Sequence, residues 1–93
     1  MITEVRMTKR SIKDLDAAPE NVQRKFVAWT MNVAATGVEE VRKISGWHDE
    51  PLKGTLKGLR SIRLSALWRA FYVEKEDGSI RFIEVKEINP HKY

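Results

Sequence analysis

The residues that could do chemistry in this 93-residue sequence are a group of cations in its second half, a few carboxylates, and a C-terminal run Asn89-Pro90-His91-Lys92-Tyr93. Frameworks for other chemistries are missing. There is no glycine-rich phosphate loop, no Walker-type Lys-Ser/Thr and no nucleophile elbow. The two histidines, His48 and His91, lie far apart, so no metal spacing is present, and the absence of cysteine removes disulfides, thiolate metal sites and cysteine nucleophiles. What remains would suffice for a metal-independent reaction on a phosphodiester. Such a reaction needs one group to take a proton from the attacking hydroxyl, one to protonate the leaving oxygen, and cations to hold the charged pentavalent state. On RNA the nucleophile is the substrate's own 2′-OH, so no cofactor is called for.

The net charge of +4 resides wholly in the second half. Residues 1–50 balance eight Lys/Arg against eight Asp/Glu, whereas residues 51–93 carry nine against five. From Leu52 to Tyr72 there are five cations, Lys53, Lys57, Arg60, Arg63 and Arg69, and no acid. Such a stretch makes a positive potential that attracts polyanions, nucleic acid above all. A solvated basic face with no partner explains the charge equally well.

These residues need a scaffold, and the chain predicts a single α+β domain over 1–93. Hydrophobic residues at 42% and charged residues at 32% are those of an ordinary globular protein. Ile2 to Met7 predicts a short strand, and Thr8 caps a helix over Lys9–Ala18. Pro19 starts a second helix in which Val22, Phe26, Trp29, Thr30 and Val33 share a buried stripe, and Gly37 ends it. Val38 to Ile44 predicts one or two further helical turns. The period then changes: Leu59–Ser65, Leu67–Lys75 and Ser79–Asn89 read as strands of a meander, with Asp77-Gly78 in the last hairpin. The expected architecture is an N-terminal strand and two antiparallel helices packed on one face of a twisted antiparallel sheet, the other face open to solvent. Trp29, Phe26 and Phe82 are assigned to the core, and Trp47 and His48 to a loop. No apolar run approaches the roughly 20 residues of a membrane span, and no secretory signal is present, so a cytoplasmic protein is expected.

Four segments, Glu50-Pro51-Leu52-Lys53-Gly54, Gly58-Leu59-Arg60-Ser61-Ile62-Arg63-Leu64, Trp68-Arg69-Ala70-Phe71-Tyr72 and the closing His91-Lys92-Tyr93, resemble the RelE/ParE toxin superfamily in order and spacing. The resemblance covers the whole chain and is nearest the ribonuclease branch of RelE, YoeB and HigB toxins. It implies a metal-independent endoribonuclease that cuts mRNA on the ribosome and is silenced by a cognate antitoxin. It further implies that Arg69 binds the scissile phosphate, that Arg63 has a similar electrostatic task, and that Glu50 is a general base. His91 and Tyr93 fall where the family keeps its tail histidine and tyrosine, and either could be the acid. Lys53, Lys57 and Arg60 would add sequence-independent attraction to RNA. The alternative is a non-catalytic ParE-like toxin that inhibits DNA gyrase.

Each site residue also has a plainer role open to it. Arg69 sits among apolar strand residues and could be paired structurally, Arg63 could be solvated, and Glu50 could be one more loop carboxylate. His91 and Tyr93 stand where chain ends fray.

Overall fold

The computed structural model describes residues 1–90, so His91, Lys92 and Tyr93 lie outside the described residues. Strand β1 (Val5–Met7) leads into helix α1 (Lys9–Ala17) through Thr8. The Thr8 hydroxyl accepts from the Ser11 N–H at 3.1 Å and donates to the Lys86 carbonyl at 3.1 Å, so one side chain caps the helix and docks it on the sheet. Ala18 and Pro19 join α1 to α2 (Glu20–Thr36). Val22, Phe26, Trp29 and Val33 of α2 are fully or almost fully buried, as their spacing requires, while Thr30 lies at the edge of that stripe. Gly37 ends α2 with φ of +90°, and a Cβ there would stand 3.0 Å from the Cβ of Met1. A short helix α3 (Val38–Val41) and a 3₁₀ turn (Ser45–Trp47) follow.

The second half adds β2 (Glu50–Pro51), a 3₁₀ turn (Gly54–Leu56), β3 (Arg60–Arg63), β4 (Trp68–Asp77) and β5 (Ile80–Pro90). The strands form one sheet in the order β1-β5-β4-β3-β2. The meander β3-β4-β5 is antiparallel, and its last turn uses Gly78 at φ +63°. Two features add to the expected antiparallel meander. The sheet is not wholly antiparallel, because β1 runs parallel to β5 with Val5 opposite Ile83 and Met7 opposite Val85. Nearly the whole chain separates those two strands, so no tight turn dictates their direction. The loop containing Glu50 also holds a strand: β2 adds to the sheet edge with Glu50 opposite Ser61 and Pro51 opposite Arg60.

Strands β1 and β3 are shorter than the apolar runs suggested, whereas β4 runs on to Asp77 and β5 to Pro90. β3 stops at Arg63 because the chain turns, with Leu64 N–H bonded to the Trp68 carbonyl at 2.9 Å and Trp68 N–H to the Ser65 hydroxyl at 3.2 Å. Leu67 is therefore outside β4 and largely exposed. A bulge at Phe71/Tyr72 leaves Lys86 as the extra residue on β5.

The core lies between the helices and one sheet face, where Val22, Phe26, Trp29 and Val33 meet Ile62, Ala70, Tyr72, Ile83, Val85 and Ile88. The Trp29 ring stands 5.9 Å from Phe26 and 5.5 Å from Tyr72. Trp47 is buried too, with the Lys25 ammonium over its ring. Phe82 is buried, as expected, but on the opposite sheet face, under the Arg6 guanidinium 3.9 Å from its ring. Ile2 is fully buried ahead of β1; its N–H donates to Glu39 at 3.0 Å and its carbonyl accepts from Val38 at 2.8 Å. That amide holds the Glu39 carboxyl below the ordinary range. Ile2→Ala should therefore cost about 2–5 kcal/mol, as for other large-to-small core changes. Urea unfolding followed by tryptophan fluorescence checks this; a loss below about 1 kcal/mol would mean that this segment is not part of the core.

Candidate active site

Residues directly opposite one another in antiparallel strands point to the same side of the sheet. One such row runs Arg63, Arg69, Asn89 across β3, β4 and β5, and the next runs Glu50, Ser61, Phe71, Glu87 across β2 to β5. Ile62, Ala70 and Ile88 alternate with these residues and are buried in the core, so both rows lie on the face away from the helices. Three residues named from sequence, Glu50, Arg63 and Arg69, thus share one surface. Arg69 and its apolar neighbours Phe71 and Val73 line this outer face rather than the core.

The two arginines differ in constraint. Arg63 is exposed. Arg69 is half-buried, and its Nη1 donates to the carbonyls of Ser65 at 3.1 Å and Trp68 at 3.3 Å. These neutral acceptors fix the guanidinium against the β3–β4 turn without cancelling its charge. Glu50 is exposed at the sheet edge. A second carboxylate in its row was not singled out from the sequence: Glu87 accepts from Asn89 Nδ2 at 3.2 Å and pairs with Arg10 at 3.2 Å. Its alternation with Ile88 was the available signal. Lys53 and Lys57 are exposed on the loop that links β2 to β3.

Arg60 is placed differently. It faces the helix side, where its Nε donates to Asp49 Oδ1 at 2.7 Å. The Asp49 side chain is only 1% exposed. Its Oδ2 accepts the Tyr72 hydroxyl, and the Arg42 Nε lies 3.9 Å from it. Arg42 in turn donates to the Tyr72 oxygen at 3.1 Å and to Glu74 at 2.6 Å. Burial, reinforced by the Asp49 carboxylate, pushes the Tyr72 phenol well above its usual range, so it remains a proton donor. For Arg42, burial opposes the charge, but the bonds to Tyr72 and Glu74 outweigh it and raise the guanidinium above its ordinary value. Nothing in the sequence marked Asp49, because its partners Arg42, Arg60 and Tyr72 lie from seven to twenty-three positions away.

Among the described residues no three His, Asp or Glu side chains gather as a metal site, and no helix is long and apolar enough to cross a membrane. His91 and Tyr93 lie outside the described residues; the last of these, Pro90, stands opposite Trp68, the chain neighbour of Arg69. The arrangement offers two adjacent cations for an anionic group and a carboxylate in the next row able to accept a proton.

No family model and no curated protein matches the chain, but solved structures do. The chain is similar to a YoeB/ParE toxin from Agrobacterium tumefaciens, at 23% identity and a TM-score of 0.73, over 96% of this chain and 99% of that one. YafQ from E. coli follows at 14% identity and 0.70, covering 95% and 92%. The RelBE2 toxin–antitoxin complex from Mycobacterium tuberculosis gives 17% and 0.67, covering 98% and 100%. The fold is that of the RelE/YoeB-type toxins, as the sequence resemblance implied.

The Tyr72–Asp49 bond makes stability depend on pH in a stated direction. A phenol whose folded pKa is raised contributes stability that is complete below its unfolded value of about 10 and is lost as pH rises toward the folded one. Tyr72→Phe should cost about 1–3 kcal/mol at pH 7, because an Asp49 oxygen loses its donor. The difference between wild type and variant should shrink above about pH 10. Urea unfolding at both pH values reads it, and a difference that does not change with pH would contradict the assignment.

Proposed function

We propose that this protein is the toxin of a bacterial toxin–antitoxin pair and acts as a metal-independent endoribonuclease on mRNA, at the ribosome. The carrying observation is that Arg63, Arg69 and Glu50 share the sheet face away from the helices. Three residues separated in the chain by up to nineteen positions lie in adjacent rows, with the charges that a phosphodiester reaction needs.

In this reading the scissile phosphate sits over Arg69 and Arg63. Glu50 takes the proton of the ribose 2′-OH as its oxygen bonds to phosphorus, and the bond to the 5′-oxygen breaks. That oxygen leaves with a proton from His91 or Tyr93, giving a 2′,3′-cyclic phosphate and a 5′-OH. Arg69 is the better placed of the cations to stabilise the pentavalent phosphoryl group, because its carbonyl contacts hold it in position beforehand. Lys53 and Lys57 supply attraction to RNA that does not depend on sequence. Arg60, turned inward to Asp49, adds to the field of that edge rather than to direct contact. A free nuclease of this kind would arrest its host, so a cognate antitoxin is proposed to cover the basic face; the RelBE2 structure is itself a toxin–antitoxin complex.

Arg69→Ala should lower the rate of RNA cleavage by roughly 100-fold or more, read by primer extension on translated mRNA. Arg63→Ala should lose less, since that side chain is exposed. If growth arrest on expression survives Arg69→Ala, His91→Ala and Tyr93→Ala alike, the nuclease assignment is wrong. Accumulation of cleaved DNA–gyrase complexes would then point to the ParE-like activity. RNA binding should also weaken steeply with salt, and Lys53→Ala or Lys57→Ala should each reduce that slope by about one; filter binding between low and physiological salt measures it.

A further inference from the structure

We propose that Asp49 is the positioning residue for Glu50: buried between Tyr72 and Arg60 behind the sheet edge, it anchors β2 so that the next side chain in sequence stands on the open face beside the arginine rows. This rests on the role given to Glu50 above, and adds what holds that carboxylate in place.

Strand β2 is weak on its own terms. It has two residues, one of them Pro51, which has no N–H to donate. The segment enters from His48 in the left-handed region, at φ 50°, and leaves through a loop whose Gly54 and Gly58 both have positive φ. Beyond the strand pairing, Leu52 N–H bonds to the Leu59 carbonyl at 2.9 Å. So short a strand does not set its own register. Asp49 supplies what is missing. Both of its oxygens are engaged, one by the Tyr72 hydroxyl and one by Arg60 Nε at 2.7 Å, and Tyr72 is itself fixed in the core against Trp29. Successive side chains in extended backbone point to opposite faces. With Asp49 held inward, Glu50 must point outward, opposite Ser61 and in the row next to Arg63 and Arg69. A slip of one residue would reverse this and turn the carboxylate away from the phosphate.

Two measurements on the full chain test the proposal, with Asp49→Ala, Asp49→Asn and Glu50→Gln each confirmed as folded by circular dichroism. The first needs no activity. In Asp49→Ala, hydrogen-exchange protection of the Leu52 amide should fall at least about tenfold more than that of Ile83, whose amide bonds to Glu4 at the far side of the sheet. Equal losses at both would show a contribution to the whole fold and overturn the anchoring. The second measurement is kinetic. Asp49→Ala should lower kcat roughly 10- to 100-fold with KM changed about twofold or less, and Asp49→Asn should lie between it and wild type. Adding Asp49→Ala to Glu50→Gln should cost no more than Glu50→Gln alone. An unchanged kcat in Asp49→Ala, where Glu50→Gln is impaired, overturns the positioning. If Glu50→Gln itself cleaves at the wild-type rate, the role assigned to Glu50 has failed and its positioning falls with it, while Leu52 exchange still decides the anchoring.

Discussion

A carboxylate taken out of water must find donors or give up its charge. Asp49 meets that requirement with the hydroxyl of Tyr72 and the guanidinium of Arg60, and Arg42 completes the set through Tyr72 and Glu74. Tyr72 is the joint between two kinds of order. Its ring belongs to the apolar core, packed near Trp29 and opposite Val85, and its hydroxyl belongs to the ionic network. Through it, the packing of α2 on the sheet is coupled to the position of the β2 edge. The helices keep one sheet face dry, the dry face holds Tyr72, and Tyr72 holds the carboxylate next to Glu50.

The opposite face follows another rule. Arg63 and Arg69 stand directly across from one another on neighbouring strands, an arrangement of like charges that lowers sheet stability. Their helix-side counterparts in the alternation, Ile62 and Ala70, are fully buried, so the strand register that builds the core also forces the two arginines together. Carbonyl acceptors steady Arg69 without neutralising it. Cations kept side by side in this way suit an anionic group shared between them. On the helix side, by contrast, the side chains of Arg60 and Arg42 donate their hydrogen bonds to acidic or phenolic oxygens. The same residue type therefore does opposite work on the two faces.

How far the site was legible depended on how local the controlling interactions were. The α2 stripe, the Thr8 cap, the Gly37 stop and the Gly78 turn could all be read directly, since each depends on spacing or on one residue's allowed dihedral angles. The same reading missed β2, because a two-residue strand ending in proline has no period to detect. Nor does the sequence reveal that β1 joins the sheet parallel to β5, since the direction of a strand with no short connection leaves no local trace. Arg60 was grouped with the surface cations because its charge is visible in sequence and its partner is not. Glu87 was passed over for a similar reason: its row in the sheet depends on the bulge at Lys86.

The amino-acid sequence by itself determined the elements, the charge asymmetry and the residue types available for chemistry, because helix and strand periodicity and turn preferences act over a few positions. Which of those residues share a surface was decided only by the tertiary structure. Strand register brought Glu50, Arg63 and Arg69 into adjacent rows, and burial against Tyr72 separated Arg60 from them. The physical reason is that side-chain direction alternates at every residue of a strand. A single step in register, set by contacts from distant parts of the chain, selects between the face turned away from the helices and the face packed into the core.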